Sequence, residues 1–321
     1  MAKIAIEFKN IKKKFPNAEQ YAVKEVSVSI EEGSFITILG TSGSGKTTLL
    51  KMVNRIYEAT SGEILFFGES IGDLKVDELR RKIGYVIQQI GLFPHLTVAE
   101  NIAIVPKILK WKKEDIEARI DYLLELVTLP SKEFRNRYPR QLSGGQQQRV
   151  GLARAMAADP AVMLMDEPFG AIDAITRQNL QDELIKIQRK LNKTILFVTH
   201  DINEAFKLGD KVIIMSRGEI QQFDTPYNIL FNPANEFVSK LVSSEDILNK
   251  LKVIKIQDLM LPLDHRNEGK TITVSREKTA HEVLTIFLQE DIDYVIIENE
   301  KKEPIGKITL EQLKLKGGHK A

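Results

Sequence analysis

Phe35-Ile36-Thr37-Ile38-Leu39-Gly40-Thr41-Ser42-Gly43-Ser44-Gly45-Lys46-Thr47-Thr48 is the stretch that decides the fold. Phe35–Leu39 is almost wholly apolar and reads as a short buried strand. The glycines from Gly40 to Gly45 break it, and Lys46 to Arg55 continues as a helix. Strand, glycine-rich turn and helix form the context in which this spacing cradles phosphate. Bare backbone lets the N–H groups of Gly40, Thr41, Ser42, Gly43, Ser44 and Gly45 approach phosphate oxygens, and the helix N-terminus favours the negative charge. Lys46 is expected to reach the β- and γ-phosphates of a nucleotide. The Thr47 hydroxyl is expected to ligate Mg²⁺, and Thr48 completes the nucleotide-binding run.

Outward from this loop, other segments end at the same kind of place. Val162–Met165 is an apolar strand closed by Asp166-Glu167, and acids at the C-terminal end of a parallel strand lie where ligands bind. Asp166 is the candidate for the Mg²⁺ shell and Glu167 for polarising an attacking water. His200 follows the buried strand Thr194–Thr199 and is placed to reach the γ-phosphate and Glu167. Gln88 follows the strand Ile83–Ile87, where its amide can reach Mg²⁺ or the water; Gln89 competes for that role by one residue. Phe15 is the candidate to stack on adenine, with Tyr21 as the alternative. His95, His265, His281 and His319 have no such placement.

A second phosphate-binding element is Leu142-Ser143-Gly144-Gly145-Gln146. Ser143 reads as an N-cap, and a helix N-terminus opened by Gly144 and Gly145 is an anion site. Lys46 already has a complete cradle. The second element is therefore expected to serve the nucleotide of another copy, so that two chains sandwich two nucleotides head to tail.

Strands alternating with helices predict an α/β sheet, with a helical insertion over about 90–160 carrying amphipathic patterns at Asp115–Val127 and Gln146–Ala157. Val212–Met215 and Glu219–Phe223 read as a hairpin turned at Arg217-Gly218. After about residue 240 the pattern stops. Residues 241–254 read as a linker. Thr271–Val274, a helix over Thr279–Gln289, Tyr294–Glu298 and Ile305–Thr309 then form a small α+β unit.

Composition bounds the function classes. The 321 residues allow two domains. A formal net charge of +2 implies no nucleic-acid partner. The chain has no cysteine, which excludes disulfides and thiolate metal sites. No apolar run approaches the ~20 residues of a membrane span. A place on the cytoplasmic face of a membrane, reached through partners, is the expectation.

Gly40–Thr47, Gln88, Leu142–Gln146, Met165-Asp166-Glu167-Pro168, Gly170-Ala171-Ile172-Asp173 and Thr199-His200-Asp201 together resemble the motif set of an ABC transporter ATPase subunit, over residues 1 to about 240. The resemblance implies a P-loop NTPase domain of the ABC type with an inserted helical subdomain, binding ATP and Mg²⁺ as a sandwich homodimer. It also implies transmembrane permease subunits and a solute-binding protein or domain as partners. Carried over, Ser143 and Gly145 contact the opposite ATP, Glu167 serves as base or water-positioner, and Asp173 lies in the loop that crosses the dimer interface. Ile172 departs from the commoner leucine. DNA-repair relatives separate the two halves by long coiled coil, whereas roughly a hundred residues lie between Lys46 and Leu142. Ribosome-acting relatives usually fuse two cassettes in one chain.

Lys51-Met52-Val53-Asn54-Arg55, Gly91-Leu92-Phe93-Pro94-His95 and Glu100–Pro106 through Trp111 resemble the osmoprotectant branch, which imports glycine betaine, carnitine and choline. The alternative is an importer of amino acids or other small solutes. Residues 255–316 resemble a single CBS motif, where osmoprotectant ATPases commonly carry two, so this one is expected to pair with its copy. A regulatory nucleotide is the ligand such motifs take. Here Gln312 stands three residues after Thr309, where an acid usually holds ribose, and Lys307 replaces an apolar residue. Both departures weigh against adenosine-type binding.

Overall fold

The computed structural model describes residues 3–87, 91–170, 172–243, 251, 254–263 and 269–317. It divides into two compact units, Met1–Phe223 and Asp224–Ala321, upstream of the break near residue 240 expected from the loss of the α/β pattern.

In the first unit, the strands Ile83–Val86, Val162–Asp166, Thr194–Thr199, Phe35–Gly40, Lys211–Ser216 and Glu219–Asp224 lie side by side in that order. The first five run parallel. Parallel strands covered on both faces read as unbroken apolar runs, and every residue of Phe35–Gly40, Val162–Asp166 and Thr194–Thr199 is buried. The register sets Leu39 beside Thr199 and Asp166 beside Val198, so the phosphate-binding loop, the acidic pair and His200 emerge at one edge of the sheet.

The strands at the N-terminus do not join this sheet. Val23–Glu31, Ile4–Lys13, Ser61–Phe66 and Glu69–Ser70 form a separate antiparallel sheet in that order. Alternate residues of the parallel strands serve two cores, as the period of two requires. Ile36, Ile38 and Leu164 pack with Phe8, Ile64 of the antiparallel sheet and Leu49 of the helix Lys46–Val53. Phe35, Met163 and Met165 pack instead with Ile102, Ile120 and Leu123 of the helical insertion.

The insertion contains the helices Val98–Ile108, Lys113–Leu126, Ser131–Phe134 and Gly144–Ala155. The first is closed by a capping box of Thr97 and Glu100. Asn101, fully buried, clamps the preceding loop: its amide donates to the carbonyls of Phe93, Leu96 and Thr97 and its oxygen accepts from Phe93 N–H at 2.9 Å.

The second unit begins with the helices Pro226–Phe231 and Glu236–Ser243. Further on, Thr271–Ser275 pairs parallel with Tyr294–Glu298, which pairs antiparallel with Pro304–Thr309. The helix Ala280–Gln289, capped by Thr279 and Glu282, connects the parallel pair, and the helix Leu310–Gly317 follows the last strand. Among the described residues no helix is long and apolar enough to cross a membrane.

Candidate nucleotide site

The phosphate-binding loop is set by glycines at positions no other residue fits. Gly43 and Gly45 have φ of 76° and 101°. A Cβ on Gly40 would lie 2.2 Å from Met215 O, and one on Gly45 would lie 2.3 Å from Ala22 O. The Lys46 ammonium donates to Gly40 O at 2.8 Å and Thr41 O at 3.0 Å, which curls the loop around it. Burial pulls the Lys46 pKa down, and the nearby Glu167 and Asp166 carboxylates oppose that. Ser44 is 2% exposed, and its Oγ has no hydrogen-bond partner among the described residues. A buried hydroxyl without a partner is costly, so a phosphate oxygen is the kind of group that fits there.

Thr47 Oγ1 donates to Asp166 Oδ1 at 2.8 Å. Burial pushes the Asp166 carboxyl up, while the Thr47 hydrogen bond and the Lys51 ammonium work against it. Hard oxygen donors at this separation suit Mg²⁺, which takes one or two protein ligands and completes its shell from phosphates and water. The next residue, Glu167, has φ of 44°, an unfavourable value for a residue with a side chain. Its N–H donates to Val198 O at 3.0 Å, anchoring the turn. Glu167 Oε2 lies 3.1 Å from His200 Nδ1. The structure therefore brings together Lys46, Thr47, Asp166, Glu167 and His200. Gln88 and its competitor Gln89 lie outside the described residues.

Phe15 and Tyr21 lie on either side of the turn after the strand Ile4–Lys13, and Ala22, next to Tyr21, approaches Gly45. The Phe15 ring meets Tyr57 edge-on at 5.1 Å, with the Lys13 ammonium also 5.1 Å from its centroid. Tyr21 is 40% exposed, beside an open depression shared with Lys24 and Glu219. Geometry does not choose between them.

The second glycine pair divides into unlike halves. Ser143 caps the helix Gly144–Ala155: its Oγ accepts from Gln146 N–H at 3.3 Å, and Gln146 Oε1 accepts from Ser143 N–H at 3.0 Å. A Cβ on Gly144 would meet nothing within 4 Å, whereas one on Gly145 would lie 2.6 Å from Thr176 Cγ2. Gly144 is exposed and Gly145 is buried. Thr176 N–H donates in turn to Asp173 Oδ1 at 3.0 Å, making Asp173 the N-cap of the helix Ala174–Leu191 and holding its carboxyl below the usual range. Further along the Gly144–Ala155 helix, Gln148 donates to Pro168 O, which ties that helix to the Glu167 turn.

Sequence reasoning missed two polar features. Buried Glu204, Gln181 and Gln148 look in sequence like ordinary surface positions of amphipathic helices, and only their burial exposes them. A groove between the parallel sheet and the insertion is lined by Arg81, Tyr85, Phe93, Val105 and Arg154. In it, Asn54 Oδ1 and Tyr85 OH are buried without partners among the described residues. Burial raises the Tyr85 pKa, so that hydroxyl stays protonated and can donate.

Residues 23–170 match the family described as ABC transporter. The chain is 44% identical to the choline transport ATP-binding protein of Bacillus subtilis, over 95% of this chain and 78% of that one. It is 46% identical to the glycine betaine/carnitine/choline transport ATP-binding protein of the same species, over 91% and 75%. It is 45% identical to the glycine betaine uptake system ATP-binding protein of Escherichia coli, over 96% and 98%. Among solved structures, it is similar to a dimeric ATP-binding cassette in a post-hydrolysis state bound to ADP and phosphate. The TM-score there is 0.61 and the identity 39%, covering 68% of this chain and 98% of that one. Identity at this level across nearly the whole chain, on top of a phosphate loop, acidic pair and histidine already assembled at one sheet edge, makes this chain a member of the ABC transporter ATP-binding proteins, in the osmoprotectant import branch.

Proposed function

We propose that this chain hydrolyses ATP to drive uptake of quaternary-amine osmoprotectants (glycine betaine, carnitine or choline) through transmembrane partners. The observation that carries the chemistry is the Glu167–His200 contact at 3.1 Å beside the Thr47–Asp166 pair at 2.8 Å. Lys46 binds the β- and γ-phosphates, exchanging its loop carbonyls for phosphate oxygens. Thr47 and Asp166, with Gln88 as a third ligand, would hold Mg²⁺, which would supply charge neutralisation at the phosphates. Glu167 accepts the hydrogen bond of the attacking water, and His200 fixes the orientation of that carboxylate. Phe15, with Tyr21 as the alternative, stacks on adenine.

Ser143, Gly144, Gly145 and Gln146 serve the nucleotide of a second copy in a head-to-tail homodimer. Ile175, beside Asp173, is 77% exposed, as a residue awaiting a partner copy would be. The groove at Tyr85, Phe93 and Arg154 receives a helix of the permease. This arrangement holds the subunit to the cytoplasmic face of the membrane. The second unit, as a CBS motif over residues 255–316, pairs with its copy; Gln312, which accepts from Thr309 N–H at 2.8 Å, is an amide and offers no carboxylate for ribose.

Relatives named for choline, carnitine and glycine betaine support the solute class. The test is uptake of radiolabelled betaine, carnitine and choline by cells with and without this subunit. Loss of at least one is expected; equal uptake of all three in both strains would overturn the solute assignment.

A further inference from the structure

Beside His200 lies a polar cluster that the nucleotide chemistry leaves unused. Glu204 and Gln181 are each 6% exposed. They come from different elements, the helix Ile202–Leu208 and the helix Ala174–Leu191. Gln181 Nε2 donates to Glu204 Oε1 at 3.1 Å, and the Thr199 hydroxyl donates to Glu204 Oε2. Thr199 Oγ1 accepts from Asp201 N–H at 3.1 Å, and Asp201 Oδ1 accepts from Glu204 N–H at 3.1 Å. Thr199, before His200, is thus pinned to the Glu204 carboxylate, and Asp201, after it, to the Thr199 hydroxyl and the Glu204 backbone N–H. One turn before Gln181, Arg177 donates to Ile172 O at 2.9 Å and approaches Asp201 Oδ2 at 3.9 Å. Residues 177 and 181 share a helix face. Through Arg177, the loop of Ile172 and Asp173 reaches the Asp201 flank of His200, and through Gln181 the same helix reaches Glu204 and so the Thr199 flank.

A buried carboxylate is expensive unless hydrogen-bonded, and an apolar residue would hold two helices together as well or better. Burial pushes the Glu204 carboxyl up, against the Thr199 and Gln181 hydrogen bonds, so keeping it there runs against stability. What the carboxylate supplies, and an apolar side chain would not, is an acceptor that orients the Thr199 hydroxyl, which in turn receives the Asp201 N–H on the other side of His200.

We propose that Glu204 is a positioning residue for ATP hydrolysis: with Gln181 it holds His200 against Glu167 and transmits the placement of the Asp173 loop to that histidine. This inference rests on the reading of His200 given above. In a head-to-tail dimer the helix Ala174–Leu191 would then reach both sites, the opposite one through its N-cap Asp173 and its own through Gln181 and the Glu204 it holds.

The test is a double-mutant cycle on the full-length chain, with kcat and KM for ATP read from release of radiolabelled phosphate so that low rates stay measurable. Glu204→Ala is expected to lower kcat about tenfold with KM changed less than about twofold. Glu204→Gln, which keeps the shape and one acceptor, should remain within about threefold of wild type. In a His200→Ala background, Glu204→Ala should cost less than about twofold more, because its effect runs through the missing ring. A full further tenfold loss in that background overturns this inference alone. Unchanged kcat in His200→Ala removes the reading of His200 and this inference with it. Should Glu204→Ala fail to fold, Gln181→Leu takes its place in the cycle, with the same expected and contradicting results.

Discussion

The two glycine-rich elements of this chain, residues 40–45 and 143–146, stand in opposite surroundings. Lys46 is 6% exposed, its ammonium is held by loop carbonyls, and Thr47 is tied to Asp166. Each of these groups is answered from within the chain. Ser143 and Gly144 are exposed at the start of a helix, with open space where a Gly144 side chain would project. The hydrogen bonds of Ser143 and Gln146 close on one another. The first element is a pocket built by the fold, and the second is a surface the fold presents outward. On the function proposed above, a chain with one of each holds two unlike halves of an active site.

The contrast yields graded expectations. Within the built half, Glu167→Gln should lower ATP turnover by about 10²–10⁴-fold while ATP still binds, the usual worth of a positioned base; wild-type turnover in single-turnover assays would remove Glu167 from that role. In the presented half, Gly144→Asp introduces a charge into open space, so the fold should hold and the melting temperature should not fall, an acid in the first helical turn being favourable. ATPase activity should nonetheless drop by about 100-fold, since a like charge facing phosphate costs several kcal/mol. Normal activity would mean that no phosphate approaches this helix. Gly145→Ala is the opposite case. Its Cβ would meet Thr176 Cγ2 at 2.6 Å, so overpacking should destabilise the fold by about 1–3 kcal/mol in denaturant melts, and Thr176→Ser should recover most of it.

The smallest effect concerns pH. Burial raises the Glu204 carboxyl above its ordinary range, so the folded chain keeps that proton to higher pH than the unfolded chain. Its contribution to stability is complete below the ordinary carboxylate range and is lost as pH rises through the raised value. Thermal melts across mildly acidic pH should show a shallower decline for Glu204→Gln than for wild type; parallel curves would contradict the shift.

Much of this was legible before the structure. The apolar runs at Phe35–Leu39, Val162–Met165 and Thr194–Thr199 are buried strands because parallel sheets need no polar face, and the residues that follow them gather at one edge. The Ser143 cap follows from local backbone chemistry, which sequence records directly. Pairing between distant strands is not local. Hence the antiparallel sheet of Ile4–Lys13, Val23–Glu31 and Ser61–Phe66 is not legible as a separate sheet in the sequence. Likewise the short helix Val76–Arg81 and the helices Pro226–Phe231 and Glu236–Ser243 were not anticipated, being too brief to show clear periodicity. Glu204 and Gln181 were invisible for a different reason. Their spacing suits a solvated helix face, and their burial depends on a neighbour that sequence does not place.

The claim that each chain holds half of two sites is tested most directly by mixing two inactive variants. Lys46→Ala disables the built half and Gly144→Asp the presented half. Alone, each should hydrolyse ATP at a small fraction of the wild-type rate. Mixed in equal amounts and allowed to exchange subunits, they should regain about a quarter of wild-type activity, because half of the dimers then carry one intact site of two. A mixture no more active than its components would contradict the shared site.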